Sequence, residues 1–378
     1  MSEEQTALQA LVRASGISTI NVVAWRDLDD PEAGGSELHA DEILRRWAAA
    51  GVAIQSRTSA VPGRSARVER NGYKVDRNGG RYQVFPSVIL RGFFSRRSHR
   101  PDGVVEIWNG MPFLSPLWHR GRRLVLLHHV HGEMWQMTLP GILGRIGWLI
   151  EHRLAPPFYR RTTIATLSRS SQEEIEERMH LRRVAVVPPG ISATFTPGSV
   201  RSPVPLVVAV GRLVPVKRFD LLIESFMAVR QQVPTARFVV VGEGYLRTEL
   251  ERQIESHGAQ EWISLPGRIS DEELLALYQE AWLVSSMSLR EGWGMSLTEA
   301  AACGTPSVAV NIAGHRDAVI DGQSGLLVEE ADVAETITSV LQDEDRLNTL
   351  RAGALRYANS LTWDSAALKL FELLSATR

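Results

Sequence analysis

Short apolar runs alternate with amphipathic segments along this chain, and the alternation starts again after Pro188-Pro189-Gly190. Strands that alternate with helices form parallel sheets with helices packed on both faces. A single core stops growing at roughly 250–300 residues, whereas the chain has 378. The sequence therefore predicts an α/β protein of two doubly wound, Rossmann-like domains that face each other across a cleft, with ligands at the carboxyl ends of the strands.

We predict domains at residues 1–190 and 206–361, joined by a linker and hinge at 191–205 that is rich in proline and glycine. A last helix is predicted within 362–378, and the sequence leaves open which domain it packs on, a return to the first being one of the two arrangements. The predicted strands of the first half are Thr19–Ala24, Ala53–Arg57, Tyr82–Phe85, Val104–Trp108, Leu124–Leu127, Thr163–Ala165 and Val184–Val187. Those of the second half are Leu206–Val210, Arg237–Val241, Ile263–Leu265, Ala281–Val284, Ser307–Val310 and Gly325–Val328.

Charge is divided unevenly between the two halves. Residues 1–190 hold 26 Lys and Arg against 19 Asp and Glu, a net +7, and the remainder hold 16 against 24, a net −8. Such a division indicates domains with different partners, although a solvated arginine-rich surface gives the same pattern. The single cysteine, Cys303, suits a reducing compartment. We find no signal-peptide pattern and no apolar run near the roughly 20 residues of a membrane span, so we expect a cytoplasmic protein.

The stretch GRLVPVKR at 211–218 follows a predicted buried strand and precedes a predicted helix. Cations at such a turn, beside the positive end of a helix, form a good anion site. Arg212 is suited to bidentate contact with a phosphate, and Lys217 adds a point charge. A solvated surface loop is the alternative interpretation.

The stretch REGWGMSLTEAAACGTP at 290–306 places Glu291 before a glycine loop and Glu299 in the first turns of a helix. Glycines at 292 and 294 allow backbone N–H groups to approach a ligand closely. A carboxylate at position 299 is suited to the hydroxyls of a ribose, and one at 291 to those of a sugar. The alternative is that Glu299 only complements the helix dipole.

Together these motifs resemble the donor site of the retaining glycosyltransferases of family four, which have the GT-B architecture. The two glutamates and their spacing match the family's signature, and GRLVPVKR matches its arginine–lysine pair. Gly242-Glu243-Gly244 is similar to its small glycine-rich turn, and WRDLDDPEAGGSE at 25–37 resembles its first strand-to-helix loop. The segments WNGMPF at 108–113 and LVLLHHVHGEMW at 124–135 are similar to a subset of these enzymes.

The resemblance implies an enzyme that moves a hexose from a UDP or GDP sugar to a hydroxyl acceptor, with retention and with no metal or other cofactor. It implies that His128, Arg212, Lys217 and Glu291 act at the reacting bond, with His129 as the second choice for the histidine. The implied donor-binding residues are Gly34, Gly35, Gly211, Arg212, Lys217, Gly242, Gly244, Glu291, Gly292, Trp293, Gly294, Met295, Ser296 and Glu299. The implied acceptor-side residues are Glu37, Asn109, His129, His131 and Glu133.

Two features depart from the family pattern. Trp293 stands where phenylalanine is usual, which could narrow the sugar pocket. The segment AGHRD at 313–317 places Asp317 where the pattern more often has glutamate.

Other site chemistries fit the sequence less well. Adjacent histidines at 128 and 129 cannot readily share one metal, and no cysteine or carboxylate completes a set of ligands. Asp27-Leu28-Asp29 has the form of a metal-binding acid pair, but it lies in the first glycine loop and we interpret it as a loop acid pair. A nicotinamide enzyme would need G-x-G-x-x-G after its first strand, and neither half of the sequence has this motif. The sequence also shows none of the usual nucleic-acid-binding modules. A non-catalytic nucleotide-sugar-binding protein of the same fold remains an alternative.

The acceptor side carries two segments that suit a membrane surface. Residues 90–100 combine paired phenylalanines with four arginines, and residues 142–150 are mostly apolar. Basic and aromatic residues together fit an anionic membrane. We therefore expect peripheral contact with the inner face of the membrane and a lipid-linked acceptor for envelope glycan, with a solvated loop and a core helix as the alternative.

Overall fold

The computed structural model describes residues 2–94, 100–132, 135–136, 139 and 141–377. Contacts divide the chain into two compact units. The first runs to Gly190 and also includes the residues from Trp363 onward, and the second is Ile191–Thr362. Each unit is built on a mainly parallel sheet with helices between successive strands.

The sheet of the first unit has eight strands in the order β3-β4-β2-β1-β5-β6-β7-β8, and only β3 and β4 pair antiparallel. All five residues of the central strand β5 are buried, as expected for a parallel strand covered on both faces. The strands are β1 Thr19–Val23, β2 Ala53–Thr58, β3 Arg67–Arg70, β4 Tyr73–Arg77, β5 Gly103–Ile107, β6 Arg122–Leu126, β7 Thr163–Thr166 and β8 Val184–Val186. The helices before residue 190 are α1 Glu3–Ser15, α2 Gly35–Ala49, α3 Val84–Phe94, α4 Ser115–Trp118, α5 Ile142–Leu149, α6 Pro156–Tyr159 and α7 Arg169–Arg178.

The predicted strand at Tyr82–Phe85 is wrong. Helix α3 begins at Val84, and its buried residues Val84, Phe85 and Val88 recur at helical spacing. The prediction also missed the hairpin of β3 and β4, whose first strand has no fully buried residue and carries two arginines. An edge strand of this kind lacks the apolar alternation by which strands are found in a sequence.

The sheet of the second unit has six parallel strands in the order β11-β10-β9-β12-β13-β14. Its core is one apolar cluster that joins the sheet to the flanking helices, with Phe226 stacked on Phe238. The strands are β9 Leu206–Val210, β10 Arg237–Val241, β11 Ile263–Gly267, β12 Leu283–Ser286, β13 Ser307–Val310 and β14 Gly325–Val328. The helices are α8 Phe219–Gln232, α9 Arg247–Ser256, α10 Asp271–Glu280, α11 Met295–Ala302, α12 His315–Ala318, α13 Val333–Gln342 and α14 Glu344–Ala358.

The last helix, α15 (Trp363–Ala376), belongs to the first unit. Its Asp364 accepts from Arg46 Nε at 2.6 Å and from Ser2 Oγ at 2.8 Å. The indole of Trp47, which is fully buried, donates to the carbonyl of Ala367 at 2.9 Å. These contacts fasten α15 to α1 and α2.

The segment 191–205, predicted as a linker, is instead part of the second unit. The N–H of Ile191 donates to the carbonyl of Leu361 at 3.1 Å. The indole of Trp282 donates to the carbonyl of Ser202 at 2.9 Å. Proline and glycine give this segment an irregular backbone, but its polar groups pair with the unit's own helices and strands and not with solvent alone.

In the part of the chain that the structure describes, no helix is both long and apolar enough to cross a membrane.

Candidate functional site

The loop after β9 presents two cations. Arg212 is exposed, and among the described residues its side chain forms no ion pair. A short 3-10 helix, Pro215–Lys217, then turns Lys217 toward the loop after β12. The chain enters α8 through Arg218, whose φ of 52° lies in the left-handed region. The carboxyl end of a central strand thus carries Lys217, which is paired, and Arg212, for which the described residues supply no ion-pair partner.

Lys217 forms an ion pair with Oε1 of Glu291. The same oxygen accepts from Ser288 Oγ at 2.8 Å. Burial acts to raise the pKa of Glu291, but the charge of Lys217 and the hydrogen bonds from Lys217 and Ser288 outweigh it and hold that pKa below its usual range. Glu291 is therefore a carboxylate at neutral pH, and its oxygens only accept hydrogen bonds.

The glycines at 242 and 244 pack directly against the backbone of the loop after β9. A Cβ on Gly242 would lie 1.9 Å from the carbonyl oxygen of Gly211, and one on Gly244 would lie 2.2 Å from that of Leu213. The N–H of Leu213 donates to the carbonyl of Glu243 at 2.9 Å. Any larger residue would displace the loop that carries Arg212 and Lys217.

Helix α11 begins immediately after the glycine loop. Gly294 is its N-cap with a φ of 102°, a conformation that favours glycine. Met295 and Ser296 form the first turn and are partly exposed, as is Gly292. Trp293 is almost fully buried, and its Nε1 finds no hydrogen-bond partner among the described residues.

Glu299 lies in the second turn of α11 and is partly exposed. The hydroxyl of the buried Tyr278 donates to its Oε2 at 3.3 Å. Burial raises the pKa of Glu299 to about 7, against the lowering effect of that hydrogen bond. The carboxyl group thus titrates in the neutral range, and any group that donates hydrogen bonds to it will favour its ionised form.

Sequence reasoning missed three polar residues beside Glu291. His315 is fully buried and Ser288 nearly so, while Ser286 is partly exposed. The Nε2 of His315 lies 3.2 Å from Ser286 Oγ. The sequence signal was a histidine directly after Gly314 in the segment AGHRD, where we considered only Asp317. The carbonyl of Asp317 accepts from the hydroxyl of Tyr357 at 2.5 Å.

In the first unit, the loop after β1 leads into α2 through Gly34 and Gly35. Gly34 is the N-cap, and its N–H donates to Oε2 of Glu37 at 2.8 Å. Glu37 is buried, lies 3.4 Å from Arg26 Nε through its other oxygen and accepts from Ser36 Oγ at 2.9 Å. The structure gives Glu37 a capping role, and its predicted contact with an acceptor stays a prediction.

Asp27 and Asp29 are held by two arginines. Arg77 donates to Asp27 bidentately, from Nε to Oδ2 at 2.8 Å and from Nη2 to Oδ1 at 2.9 Å. Arg70 Nη2 lies 2.8 Å from Asp29 Oδ2, and Thr58 Oγ1 donates to Asp27 at 3.0 Å. This ion-pair network agrees with the interpretation of these residues as a loop acid pair. In residues 2–94, 100–132 and 141–377, no cluster of three His, Cys, Asp or Glu suits a metal ion.

His128 is buried after β6 and pairs with a second histidine. Its Nε2 lies 3.0 Å from Nδ1 of His39 on α2, and the two rings meet edge to face. Burial, with the neighbouring His39, lowers the pKa of His128 well below its usual value, and burial lowers that of His39 to about 4. Both rings are therefore neutral at neutral pH. Contact between His128 and a sugar stays a prediction.

The rest of the histidine loop is organised by a buried acid. Glu151 accepts from the N–H groups of His131 and Gly132 at 2.9 and 3.1 Å and from the indole of Trp135 at 2.9 Å. It lies in a π-helical turn, Ile150–Leu154, an irregularity that is frequent at functional sites. His129 is partly exposed and stacks on His131. Glu133 lies outside the described residues.

The second loop of this unit, after β5, is organised in a similar way. Glu106 is fully buried and accepts from the N–H of Phe113 at 2.6 Å and from the hydroxyl of Tyr159 at 2.6 Å. Asn109 is partly exposed, and its amide lies 3.4 Å from Ser36 Oγ beside the first glycine loop. Asn109, Ser36 and the glycine loop thus lie together at the carboxyl edge of the first sheet.

Two family models match this chain. Residues 33–195 match "Glycosyltransferase Family 4", and residues 195–356 match "Glycosyl transferases group 1". A D-inositol 3-phosphate glycosyltransferase of Xylanimonas cellulosilytica is 27% identical over 92% of this chain and 93% of its own length. A GDP-mannose-dependent alpha-(1-6)-phosphatidylinositol monomannoside mannosyltransferase of Mycolicibacterium smegmatis is 30% identical over 82% of this chain and 86% of its own. Sucrose-phosphate synthase from Thermosynechococcus elongatus has the same fold, with a TM-score of 0.79, 19% identity and coverage of 94% and 98% of the two chains.

Proposed function

Because this chain belongs to the group 1 glycosyltransferases of family 4, an enzyme family of GT-B fold, we propose that it transfers a hexose from a UDP or GDP sugar to a hydroxyl acceptor with retained anomeric configuration. The observation that carries this proposal is the Lys217–Glu291 ion pair at the carboxyl edge of the second sheet. In this pair, a cation suited to a phosphate lies beside a carboxylate that can accept hydrogen bonds from sugar hydroxyls. Arg212 lies exposed in the loop that also carries Lys217.

In the proposed donor complex, Arg212 and Lys217 bind the diphosphate and Glu299 accepts hydrogen bonds from the ribose hydroxyls. Glu291 has a second oxygen besides the one that Lys217 and Ser288 contact, and this oxygen is available for hydroxyls of the donor sugar. A nucleoside diphosphate fits these residues because it offers anionic oxygens at one end and donating hydroxyls at the other.

The proposed chemistry is a front-face substitution. The acceptor oxygen bonds to C1 of the sugar on the face from which the diphosphate leaves, and the C1–phosphate oxygen bond breaks. The departing diphosphate oxygen takes the acceptor's proton. Because no protein nucleophile is needed, catalysis consists of positioning and of stabilising the charge that develops on the diphosphate.

We propose that this stabilisation needs no metal ion. Arg212 and Lys217 supply two positive charges, and the positive N-terminal end of α11 faces the glycine loop. Together they would stabilise the negative charge on the diphosphate, as a divalent cation does in other transferases. The acid pair at Asp27 and Asp29 supports this proposal, because its oxygens are already engaged by Arg70 and Arg77.

The acceptor proposal rests on the first unit and on the relatives. These relatives include a D-inositol 3-phosphate glycosyltransferase and a phosphatidylinositol monomannoside mannosyltransferase. For this chain we propose a lipid-linked glycan acceptor, of a kind used in envelope glycan synthesis, that approaches Gly34, Gly35, Asn109, His129 and His131. A soluble glycan and a small molecule are the other acceptors to test.

A lipid-linked acceptor would require contact with a membrane, and α5 has a surface suited to it. Its side chains are exposed at Ile142, Leu143, Ile146, Trp148 and Leu149, with Ile142 at 73%. Arg145 and Arg153 are exposed among them, whereas Glu151, the one acidic residue of 141–161, is fully buried. Apolar and cationic side chains without exposed acids suit an anionic bilayer. Phe93 and Phe94 on α3 are exposed as well, whereas Ser95–His99 lie outside the described residues.

The proposal is tested by calorimetry with UDP, GDP, ADP and dTDP in the presence of a chelator, followed by transfer assays with the sugars of whichever nucleotide binds. We expect one nucleotide to bind tightly, Glu299→Ala to weaken it, and the product's anomeric proton to show the donor's configuration by NMR. Nucleotide binding without turnover of any sugar would favour the non-catalytic alternative. Absence of all binding without metal, restored by a divalent ion, would overturn metal independence.

A further inference from the structure

His315 makes two hydrogen bonds that fix its ring and its tautomer. Its Nδ1 lies 2.8 Å from the carbonyl oxygen of Val310 at the end of β13. Since a carbonyl oxygen can only accept, Nδ1 carries the proton. In the neutral ring Nε2 is then an acceptor, so the hydroxyl of Ser286, 3.2 Å away, donates to it. His315 is fully buried, and burial lowers its pKa, which keeps the ring neutral at neutral pH.

The hydrogen bonds continue from Ser286 to the ion pair. Ser286 Oγ lies 3.3 Å from Ser288 Oγ. Ser288 in turn donates to Oε1 of Glu291 at 2.8 Å, and Lys217 contacts the same oxygen. A connected row of polar groups therefore runs from β13 through His315 and two serines to the Lys217–Glu291 pair.

The backbone packs these parts together. A Cβ on Gly314, which precedes His315, would lie 2.4 Å from the carbonyl oxygen of Glu291. One on Gly294 would lie 3.4 Å from Cδ2 of His315. Because neither glycine carries a Cβ, the loop of Glu291 and the start of α12 approach each other closely, and the positive φ of both glycines favours glycine at these positions.

We propose that His315 is a positioning residue of the donor site, which orients the carboxylate of Glu291 toward Lys217 through the hydroxyls of Ser286 and Ser288. By accepting from Ser286, the neutral ring fixes the position of that hydroxyl beside Ser288, 3.3 Å from its Oγ. Ser288, held by this contact, donates its proton to Glu291, because a carboxylate is a stronger acceptor than a hydroxyl. This role deepens the proposed function and rests on it, but it also makes a claim about the unliganded protein.

Two substitutions of His315 separate positioning from packing. In His315→Asn the amide nitrogen can keep the bond to Val310, and the acceptor for Ser286 is lost. In His315→Gln the amide oxygen can keep that acceptor near the position of Nε2. If His315 acts through Ser286, His315→Asn lowers kcat about 10-fold, roughly 1.4 kcal/mol, whereas His315→Gln stays within about 3-fold. Ser286→Ala should match His315→Asn, and the double variant should be no worse than either.

A second readout needs no substrate. The chain has only three lysines, Lys74, Lys217 and Lys369, so lysine labelled with ¹³C at Cε gives three signals that single Lys→Arg variants assign. We expect the Lys217 signal to move in His315→Asn and in Ser286→Ala and to stay in place in His315→Gln. The signals of Lys74 and Lys369 are the internal controls.

The outcomes distinguish the positioning role of His315 from a packing role, and both from the proposed function. A Lys217 signal that is unchanged in all variants, with unchanged kcat, overturns the role of His315. Equal losses in His315→Asn and His315→Gln, in proportion to lowered thermal stability, would show a packing role and also overturn it. Wild-type protein that binds and transfers no nucleotide sugar, while the Lys217 signal responds as expected, would overturn the proposed function and leave the network in place.

Discussion

The ammonium group of Lys217 contacts Oε1 of Glu291, 74 residues further along the chain. The two come from loops after different strands, β9 and β12, which are neighbours in the sheet. Each is partly exposed, at 21% and 17% of its side chain. An ion pair in this position is weak evidence for stability, but it places opposite charges side by side where an anionic, hydroxylated ligand could use both.

Replacing Lys217 by alanine should lower transfer by about 100-fold or more, because a cation that stabilises the departing diphosphate is lost. The measurement is kcat and KM for the best donor sugar. Lys369→Ala is the control, since Lys369 is exposed and its one ion pair within the described part of the chain is with Glu372 on its own helix. Turnover of Lys217→Ala close to that of the control would remove Lys217 from the phosphate site.

Nucleotide affinity should rise with pH through the pKa of Glu299, about 7, because ribose hydroxyls donate to the carboxylate and not to the acid. Binding should therefore release a proton near pH 6–7, which calorimetry detects as a dependence on the buffer's ionisation enthalpy. Glu299→Gln should abolish both effects. A flat affinity between about pH 6 and pH 8 in the wild type would contradict the ribose assignment.

The raised pKa of Glu299 also makes the stability of the folded protein depend on pH. The folded-state pKa of Glu299 lies above the ordinary value of 4.5, so the folded protein binds this proton more tightly than the unfolded chain. The contribution to stability is complete below pH 4.5 and is lost as pH rises through about 7. Glu299→Gln should thus be more stable relative to wild type at pH 8 than at pH 5, as measured by urea unfolding of both.

Trp293→Phe tests the buried indole N–H that has no partner in residues 2–94, 100–132 and 141–377. An unpaired buried donor costs about 1–3 kcal/mol, and phenylalanine removes this cost. The smaller ring loses some packing, so we expect the stability of the variant to be unchanged or raised by up to about that amount. If a donor sugar satisfies the N–H, KM should rise while stability does not fall. A loss of stability above about 2 kcal/mol would show that packing of the larger ring dominates.

Asp27→Asn should destabilise the first unit. Arg77, whose side chain is 2% exposed, would keep its buried charge without the bidentate carboxylate. Removal of one partner of a buried ion pair costs about 3–5 kcal/mol. Because Arg77 keeps its contact with Asp29, we expect a loss near the lower end of that range, measured as a shift of the unfolding midpoint in urea. Asp30→Asn is the matched control, because Asp30 lies in the same loop and outside this network. If Asp27 instead binds a metal, added divalent ions would raise the wild type's stability and not the variant's.

Ile146→Glu combined with Trp148→Glu should lower cosedimentation with vesicles of anionic lipid, because two exposed apolar side chains of α5 become acidic. Val200→Glu, at an apolar position of the second unit that is more exposed than Ile146 and Trp148, is the control. Wild-type binding that is equal for anionic and zwitterionic vesicles would contradict the role of Arg145 and Arg153. Absence of binding to either would remove the membrane from the proposal.

Local sequence determined the βα alternation and most of its strands. Strands such as β9 and β10 are continuous apolar runs because both faces of a parallel sheet are covered, so they can be read without knowledge of their neighbours. Gly242, Gly244, Gly294 and Gly314 mark positions where a Cβ would strike backbone or where φ is positive. The motifs at 211–218 and 290–306 could be recognised in the sequence because each follows an apolar strand of this kind.

Only the tertiary structure decided the partners of the side chains. The pairing of His128 with His39, of Glu291 with Ser288 and of His315 with Ser286 depends on which loops become neighbours at the edge of each sheet. The segment predicted as a strand at Tyr82–Phe85 includes the start of a helix. The edge hairpin β3–β4 was missed because β3 has no fully buried residue. Segment 191–205 looked like a linker by composition, yet its backbone groups find partners in the second unit. Composition and periodicity report the burial of single elements, whereas contacts between elements set the pKa of Glu299 and the tautomer of His315.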